Sequence, residues 1–155
     1  MAYEFYVTIE GTKQGKFKGD VQRKGRKEQI AGLAFDYEVT SPRDASTGQA
    51  TGKRQHKPVT ITKHWGAATP QLFQALVTNE VLKSVLIEFV KPSPGGEEHV
   101  YHKIKLTDAT ISDIHQHANA DTHELEDISF TFRKIEIENV DGKTAAADDW
   151  SSKTS

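Results

Sequence analysis

The chain contains no cysteine among its 155 residues. Disulfide frameworks, thiolate nucleophiles and zinc sites built on cysteine are therefore excluded. The chain also has no long hydrophobic run, because no segment approaches the ~18 apolar residues that a membrane-spanning helix needs. We expect no stable membrane insertion. The opening residues MAYEFYVTIE have neither a basic start nor an apolar stretch, so we expect no cleavable signal peptide.

Recognisable catalytic motifs are lacking as well. No G-x-S-x-G elbow is present, and Ser112, Asp113 and His115 stand in an ordinary strand pattern rather than in a triad arrangement. The TGK at 51–53 is too short for a phosphate-binding glycine loop. We predict that the protein is not an enzyme and needs no cofactor or metal.

The charge is nearly balanced overall but not along the chain. The formal net charge is -2, yet residues 1–78 hold 12 Lys and Arg against 7 Asp and Glu, and residues 79–155 hold 8 against 15. One interpretation is that solvated loops differ in sign. The other is that surfaces of opposite sign on identical subunits meet head to tail, which builds rings or filaments.

Most of the chain alternates between apolar and polar residues with a period of two, which is typical of strands. The inward positions predicted for the first three strands are Tyr3, Phe5, Val7 and Ile9, then Leu33, Phe35, Tyr37 and Val39, then Val59, Ile61, Lys63 and Trp65. The segment LKSVLIEFV is apolar on both faces, so we expect it to be covered on both sides.

The last strand changes parity. Ile128, Phe130 and Phe132 share one face, whereas Ile135 and Ile137 fall on the other. A bulge or bend at 133–134 would explain this change, and such bends occur where a sheet closes into a barrel.

One helix is predicted after the Gly-Ala-Ala break at 66–68. Thr69 is placed to cap it, Pro70 to occupy its first turn and Asn79 to end it. Its apolar stripe consists of Leu72, Phe73, Leu76 and Val77. At roughly ten residues such a helix does not hold alone, so it must pack on an apolar surface.

Two long polar segments, at about 11–29 and 41–57, are predicted to be loops, and the C-terminal tail is polar except for Trp150. Loops of this length are usually functional or disordered. About seven strands with hairpin connections indicate a mainly β fold, an antiparallel β-barrel with one flanking α-helix, because closure removes exposed sheet edges.

Two alternative kinds of site remain open. His115, His117 and His123 surround one turn, with His99 and His102 on a neighbouring strand, and three histidines can bind zinc. Residues 13–27 carry seven basic side chains, so the 11–28 loop of a monomeric barrel could bind nucleic acid or another ligand.

The order of the segments resembles the Hcp family, the haemolysin-coregulated proteins of bacterial type VI secretion systems. The resemblance covers about residues 3–150 and depends on the whole pattern rather than on a catalytic signature. Its most specific segments are TKHWGAATPQLF, IKLTDATIS and LEDISFTFRKIE, followed by the DGKTAAADDW tail.

The resemblance implies one Hcp-like β-barrel domain over residues 1–155 that assembles as a homo-hexameric ring. Such rings stack into the inner tube of a contractile apparatus, are expelled with the tip and can carry effectors in the lumen. The implied partners are spike and sheath proteins and effectors, with no nucleic acid, and the implied context is virulence. The protein would be cytoplasmic during assembly and then secreted.

The resemblance also assigns a role to the 41–57 segment. It corresponds to the extended loop that is expected to reach the next ring in this family. The candidate ring-stacking residues are Arg43, Asp44, Lys53, Arg54 and His56.

Overall fold

The structure is a computed structural model that describes residues 4–19 and 29–150. The strands are β1 (Glu4–Gly11), β2 (Gly15–Lys16), β3 (Ile30–Gly32), β4 (Ala34–Asp36), β5 (Val39–Thr40), β6 (Gln55–His56), β7 (Val59–His64), β8 (Leu82–Pro92), β9 (Glu98–Asn119), β10 (His123–Thr131), β11 (Lys134–Asn139) and β12 (Thr144–Asp149). The helix α1 spans Thr69–Val77.

The longest strand, β9, belongs to both halves of the sheet. Its first half pairs with β8 and β11, and its second half pairs with β10. Beyond these, β8 pairs with β1 and β10 pairs with β7. β3 pairs with β1, and β4 pairs with β7. Only Leu33 separates β3 from β4, so this segment joins β1 to β7, the strands at the two ends of the sheet. All these pairings are antiparallel, and the predicted antiparallel β-barrel with one flanking helix is confirmed.

A corner of the barrel lies where β9 and the β10–β11 segment bend together. Asp108 has φ 50°, and the Arg133 amide donates to the carbonyl oxygen of Thr107 at 3.1 Å. Buried side chains change parity across this corner, from Ile128 on one side to Ile135 on the other. The bend predicted at 133–134 is therefore confirmed.

The core fills the barrel with side chains from alternate strand positions. Phe5, Phe35 and Phe89 form an aromatic cluster, with ring centroids 5.2 to 6.4 Å apart. Each fully buried side chain of this size contributes about 1.5–3 kcal/mol through apolar burial. On β1 the predicted inward residues Phe5, Val7 and Ile9 are buried. On β7 the predicted inward residues Val59, Ile61 and Lys63 are buried as well.

Three predicted inward residues are instead exposed. Leu33 lies at the junction of β3 and β4, Val39 belongs to a separate two-stranded sheet, and Trp65 follows the end of β7. At Val39 and Trp65 the period-two pattern continues in the sequence after the chain has left the barrel wall, whereas Leu33 lies between two barrel strands and points outward. Tyr3 lies outside the described residues.

The helix begins and ends close to the predicted positions. Pro70 occupies its first turn, and Asn79, with φ 54°, follows the C-cap residue Thr78, a left-handed conformation that asparagine tolerates. The predicted cap at Thr69 is wrong, because Ala68 occupies the N-cap position. The Thr69 hydroxyl binds the buried Glu126 carboxylate instead, at 2.6 Å.

The helix buries a narrower stripe than predicted. Leu72 and Ala75 are buried, Leu76 is half-buried, and Phe73 and Val77 are exposed. A nine-residue helix beside β9 buries only the face that points at the barrel. In the described ranges, 4–19 and 29–150, no helix is long and apolar enough to cross a membrane.

The segments predicted to be loops contain local structure. β2 lies within 11–29, although residues 20–28 of that segment lie outside the described residues. β6 lies within 41–57, and the polar tail contributes β12, which pairs with β11. Short pairings and bends divide the chain into more strands than the seven predicted.

Candidate assembly surfaces

Residues 37–57, called the arm, form a hairpin with a sheet of its own. Val39 pairs with His56 in the β5–β6 ladder. Farther along, Arg43 and Ala50 form an isolated bridge. The Thr51 amide donates to a carbonyl of the facing segment at 3.0 Å. The two sides of the arm therefore hold each other.

The far end of the arm is an ordered turn built on Asp44. Its carboxylate accepts hydrogen bonds from the Ser46 hydroxyl at 2.6 Å, the Ser46 amide at 2.7 Å and the Thr47 amide at 3.1 Å. These bonds, the Ser46 hydroxyl foremost, hold the pKa of Asp44 below its ordinary value. Gly48, with φ 76°, supplies the left-handed residue that the turn requires.

The base of the arm is bound to the end of β12 by polar contacts. His56 Nε2 lies 2.6 Å from Asp148 Oδ2, and His56 Nδ1 lies 2.6 Å from the Tyr37 hydroxyl. Arg54 Nε donates to the same Asp148 oxygen, and its guanidinium also donates to the carbonyl oxygen of Asp149 at 2.8 Å. Two segments more than 90 residues apart in sequence are joined here.

Aromatic rings enclose this contact. The His56 ring lies 5.2 Å from Trp150, 5.4 Å from Phe132 and 6.1 Å from Tyr37, centroid to centroid. The hydrogen bond from Arg54 holds the pKa of Asp148 below its ordinary value, and the bond with His56 acts in the same direction. We call Tyr37, Arg54, His56, Asp148 and Trp150 the clamp.

The five predicted stacking residues divide into two groups. Arg54 and His56 belong to the clamp, and Lys53 lies beside it, with its Nζ donating to the Trp150 carbonyl oxygen at 2.9 Å. Arg43 and Asp44 lie in the far part of the arm, away from the clamp. The structure does not test stacking by any of the five, which stays a prediction.

An exposed apolar surface lies on the helix. Phe73 and Val77, one turn apart, are 56% and 51% exposed, and Val81 just beyond the helix is exposed as well. We call these three residues the helix patch. Two exposed apolar side chains one helical turn apart make this patch a candidate interaction surface.

The outer face of the sheet formed by β8, β9, β11 and β12 carries alternating charges. Glu88 lies opposite Lys103, which in turn lies opposite Glu138, and Lys105 lies opposite Glu136 in the next row. A hollow of about 530 Å³ on this face is lined by the two lysines, by Glu136 and Glu138, by Leu86 and Ile137, and by alanines of β12. Cross-strand pairs of opposite charge stabilise a sheet, so this face is a polar wall of the barrel.

A buried ion pair lies beside the start of the helix. Lys63 and Glu126, on the paired strands β7 and β10, have side chains 3% and 0% exposed. The Glu126 carboxylate also accepts from Thr69 at 2.6 Å and from Gln116 at 3.2 Å, and Lys63 donates to the His64 carbonyl oxygen at 2.8 Å. The pair is therefore satisfied and acts as a structural contact.

The histidines of the alternative zinc hypothesis are divided among different contacts. His115 and His117 lie side by side, with ring centroids 5.3 Å apart, and His99 binds Asp141. Among the residues that the structure describes, no group of three or more His, Asp or Glu is arranged to hold a metal ion.

The basic segment is only partly described. Lys13, Lys16 and Lys18 lie at the β1–β2 turn and just beyond it, and the remaining basic residues of 13–27 lie outside the described residues. Binding of nucleic acid by this segment is therefore untested.

Sequence patterns did not identify Asp148 and Trp150 as partners of the arm, or Tyr37 as a partner of His56 within it. One signal was present, since Trp150 is an isolated large apolar residue in a polar tail. Lys63 at an inward strand position likewise indicated a buried partner. Neither pattern identifies which distant residue completes the contact.

Comparisons with known proteins give a consistent result. The model of a family described as "Type VI secretion system effector, Hcp" matches residues 6–138. A curated relative, the "Major exported protein" of Pseudomonas aeruginosa, is 38% identical over 168 aligned residues, covering 98% of this chain and 98% of that protein.

Solved structures agree with the sequence relatives. The secreted protein Hcp3 from Pseudomonas aeruginosa has a TM-score of 0.82 at 33% identity, covering 97% of this chain and 100% of that one. A mutant of the Hcp1 protein from E. coli EAEC 042 has a TM-score of 0.89 at 28% identity, covering 96% and 99%.

Proposed function

Since the chain belongs to the Hcp family of type VI secretion proteins, we propose that it is the structural subunit of the inner tube. In this proposal six copies form a ring, and rings stack into a tube. The tube is expelled with its spike and carries effectors in the lumen. The protein performs no catalysis.

The observation that carries the proposal is a pair of unlike surfaces on one subunit. The helix patch is apolar, whereas the arm is polar and ends in a charged turn. Unlike surfaces suit heterologous contacts, which close into rings when the rotation between neighbours is sixfold and extend into tubes when contacts continue along an axis.

We assign ring closure to the helix patch and stacking to the far part of the arm. Burying Phe73 and Val77 against a neighbour removes apolar area from water, which favours a stable contact. Arg43 and Asp44 stand at an exposed end that can reach a separate ring. The charged faces of such rings suit contacts that form and part during expulsion, because exposed ion pairs are individually weak.

Membership of the family supports two further parts of the proposal, the export of this protein and the identity of its partners. A relative named as an exported protein supports secretion of this chain, and we propose assembly in the cytoplasm before export. Spike and sheath proteins and effectors are the proposed partners. The single-domain organisation over residues 1–155 is part of the same proposal.

Ring formation is tested by size-exclusion chromatography with light scattering and by negative-stain microscopy. We expect a mass six times the 17.3 kDa of one chain, and annular particles. Phe73→Asp should dissociate the ring, because it buries a charge in the apolar contact.

Gln74→Asp is the matched control, since it adds the same charge on the next, exposed helix position. Circular dichroism should show that both variants are folded. A wild-type monomer at high concentration would overturn the ring proposal, and rings of Phe73→Asp would overturn the assignment of the helix patch.

A further inference from the structure

Apart from the clamp, the arm contacts the barrel through the rings of Tyr37 and His56 on Phe132 and through the hydrogen bond from Lys53 to the Trp150 carbonyl oxygen. Within the described residues, β5 and β6 pair only with each other and share no ladder with the barrel strands. The arm is joined to the barrel covalently at its two ends, near residues 37 and 57. Two covalent joints alone leave a hairpin free to swing as a body.

The clamp adds a directional restraint to these contacts. Asp148 stands at the end of β12, a strand fixed by its ladder with β11. Its carboxylate binds two residues of the returning side of the arm, Arg54 and His56. Through His56 the contact continues to Tyr37, on the outgoing side, at 2.6 Å. Both sides of the arm are thereby tied to one rigid strand.

The burial of His56 and its two hydrogen bonds fix the direction of its contact with Asp148. The His56 side chain is 4% exposed, and both of its ring nitrogens have partners, so the ring cannot turn without losing a hydrogen bond. Charge-assisted hydrogen bonds are about twice as strong as neutral ones and demand good alignment. A contact of this kind fixes an angle as well as a distance.

We propose that Asp148 is a positioning residue, which orients the arm so that its far end meets the next ring. This inference rests on the proposed function, because a fixed direction matters only where arms of one ring must find a second ring. In this view the C-terminal strand and the arm form one unit, and a change at β12 alters stacking without touching the stacking residues.

The orientation of the arm is measured with spin labels. The chain has no cysteine, so the substitutions Thr47→Cys on the arm and Asp121→Cys at the β9–β10 turn provide the only two attachment points. Labelled chains are mixed with excess unlabelled chains, and the distance between labels within one chain is measured by pulsed electron paramagnetic resonance. We expect a single narrow distance distribution in the otherwise wild-type protein.

Asp148→Ala and Arg54→Ala should each broaden that distribution, and the double variant should broaden it little further than Asp148→Ala, because that substitution already removes the carboxylate that Arg54 binds. The conservative Asp148→Asn, which keeps an acceptor oxygen, should restore part of the narrow peak. Asp141→Ala is the matched control, because Asp141 also binds a histidine and a cation, His99 and Lys91, but away from the arm.

Microscopy of the same samples measures assembly. Asp148→Ala should retain single rings and lose stacked rings. An unchanged distance distribution in Asp148→Ala would overturn the positioning role, as would loss of the rings themselves. A wild-type protein that forms no rings would overturn the proposed function, while the distance measurement would still decide whether the clamp orients the arm.

Discussion

Asp148 and Asp141 have the same kinds of partner in two different regions of the molecule. Asp148 binds His56 and Arg54, and Asp141 binds His99 and Lys91. In each case the hydrogen bond from the cation holds the pKa of the aspartate below its ordinary value, and the histidine acts in the same direction. The chemistry of the two contacts is therefore alike.

The two contacts differ in burial and in what they connect. The side chains of Asp148 and His56 are 25% and 4% exposed, against 41% and 43% for Asp141 and His99. Lys91 and His99 are already paired across β8 and β9, so Asp141 adds little to their connection. Asp148 joins segments that share no ladder. A polar contact matters most where water is excluded and where no strand ladder already joins the same segments.

The largest effect on stability is expected at Lys63 and Glu126, because this ion pair is almost completely buried. Replacing Glu126 with Ala should lower the free energy of unfolding by about 3–5 kcal/mol, because Lys63 would remain buried without its carboxylate. Urea unfolding at one fixed protein concentration measures this change, since assembly makes stability concentration-dependent.

The double variant Lys63→Met/Glu126→Leu is the control for that experiment. Apolar side chains of similar volume should recover most of the loss, because neither leaves an unpaired charge. A double variant as unstable as the single one would show that lost packing, rather than the unpaired lysine, causes the effect.

The next largest effect on stability is expected at Glu80, whose carboxylate accepts hydrogen bonds from uncharged amide groups instead of from a cation. Glu80 is buried and accepts from the amides of Lys13 and Gln14 at 2.9 Å and from the Gln14 side chain at 3.0 Å. Burial raises the pKa of Glu80, but these hydrogen bonds outweigh it and the pKa is lowered. Glu80→Ala should cost about 2–3 kcal/mol in urea unfolding, because two backbone amides of the β1–β2 turn lose a charged acceptor.

Glu80→Gln distinguishes the contribution of the hydrogen-bond acceptor from that of the negative charge, because glutamine keeps an acceptor oxygen and is neutral. The amide keeps one oxygen for the two backbone donors, so we expect a smaller loss than in Glu80→Ala. Equal losses in both variants would mean that the negative charge, not the acceptor, holds the β1–β2 turn.

The clamp itself should give a moderate effect. Asp148→Ala is expected to lower the free energy of unfolding by about 1–2 kcal/mol, because Arg54 and the enclosed His56 lose a charged acceptor. Thermal unfolding followed by circular dichroism is the measurement. A change as small as that of Asp141→Ala would contradict the difference drawn between the two regions.

Acid should remove the clamp's contribution. The pKa of Asp148 is lower in the folded protein than in the unfolded chain, so its stabilisation is complete above the ordinary aspartate pKa of about 3.9 and is lost as the pH falls through the folded value. The stability difference between wild type and Asp148→Asn should therefore be constant near neutral pH and shrink in acid. A difference that grows in acid would contradict this assignment.

The smallest effect is expected at the exposed contact. Asp141→Ala should leave the thermal unfolding midpoint unchanged within measurement error, because exposed ion pairs exchange protein contacts for equivalent water contacts. A clear drop in the midpoint would show that exposure does not separate the two aspartates.

Alternation predicted the barrel wall well. The buried faces of β1 and β7 and the change of parity at 133–134 follow from period-two patterns, because each strand residue faces either the core or the outside. The errors at Val39 and Phe73 share one cause. A pattern continues in the sequence past the point where its surface has a neighbour to pack against, and the sequence does not mark that point.

By itself, the sequence determined the strand-rich class, the bend, the single helix and the family, because each depends on residues close together in the chain or on their order. Only the tertiary structure decided that the arm is bound to β12, that Thr69 serves Glu126, and that Phe73 and Val77 are left exposed. These contacts join residues far apart in the chain, and their partners are set by how the closed sheet brings distant strands together.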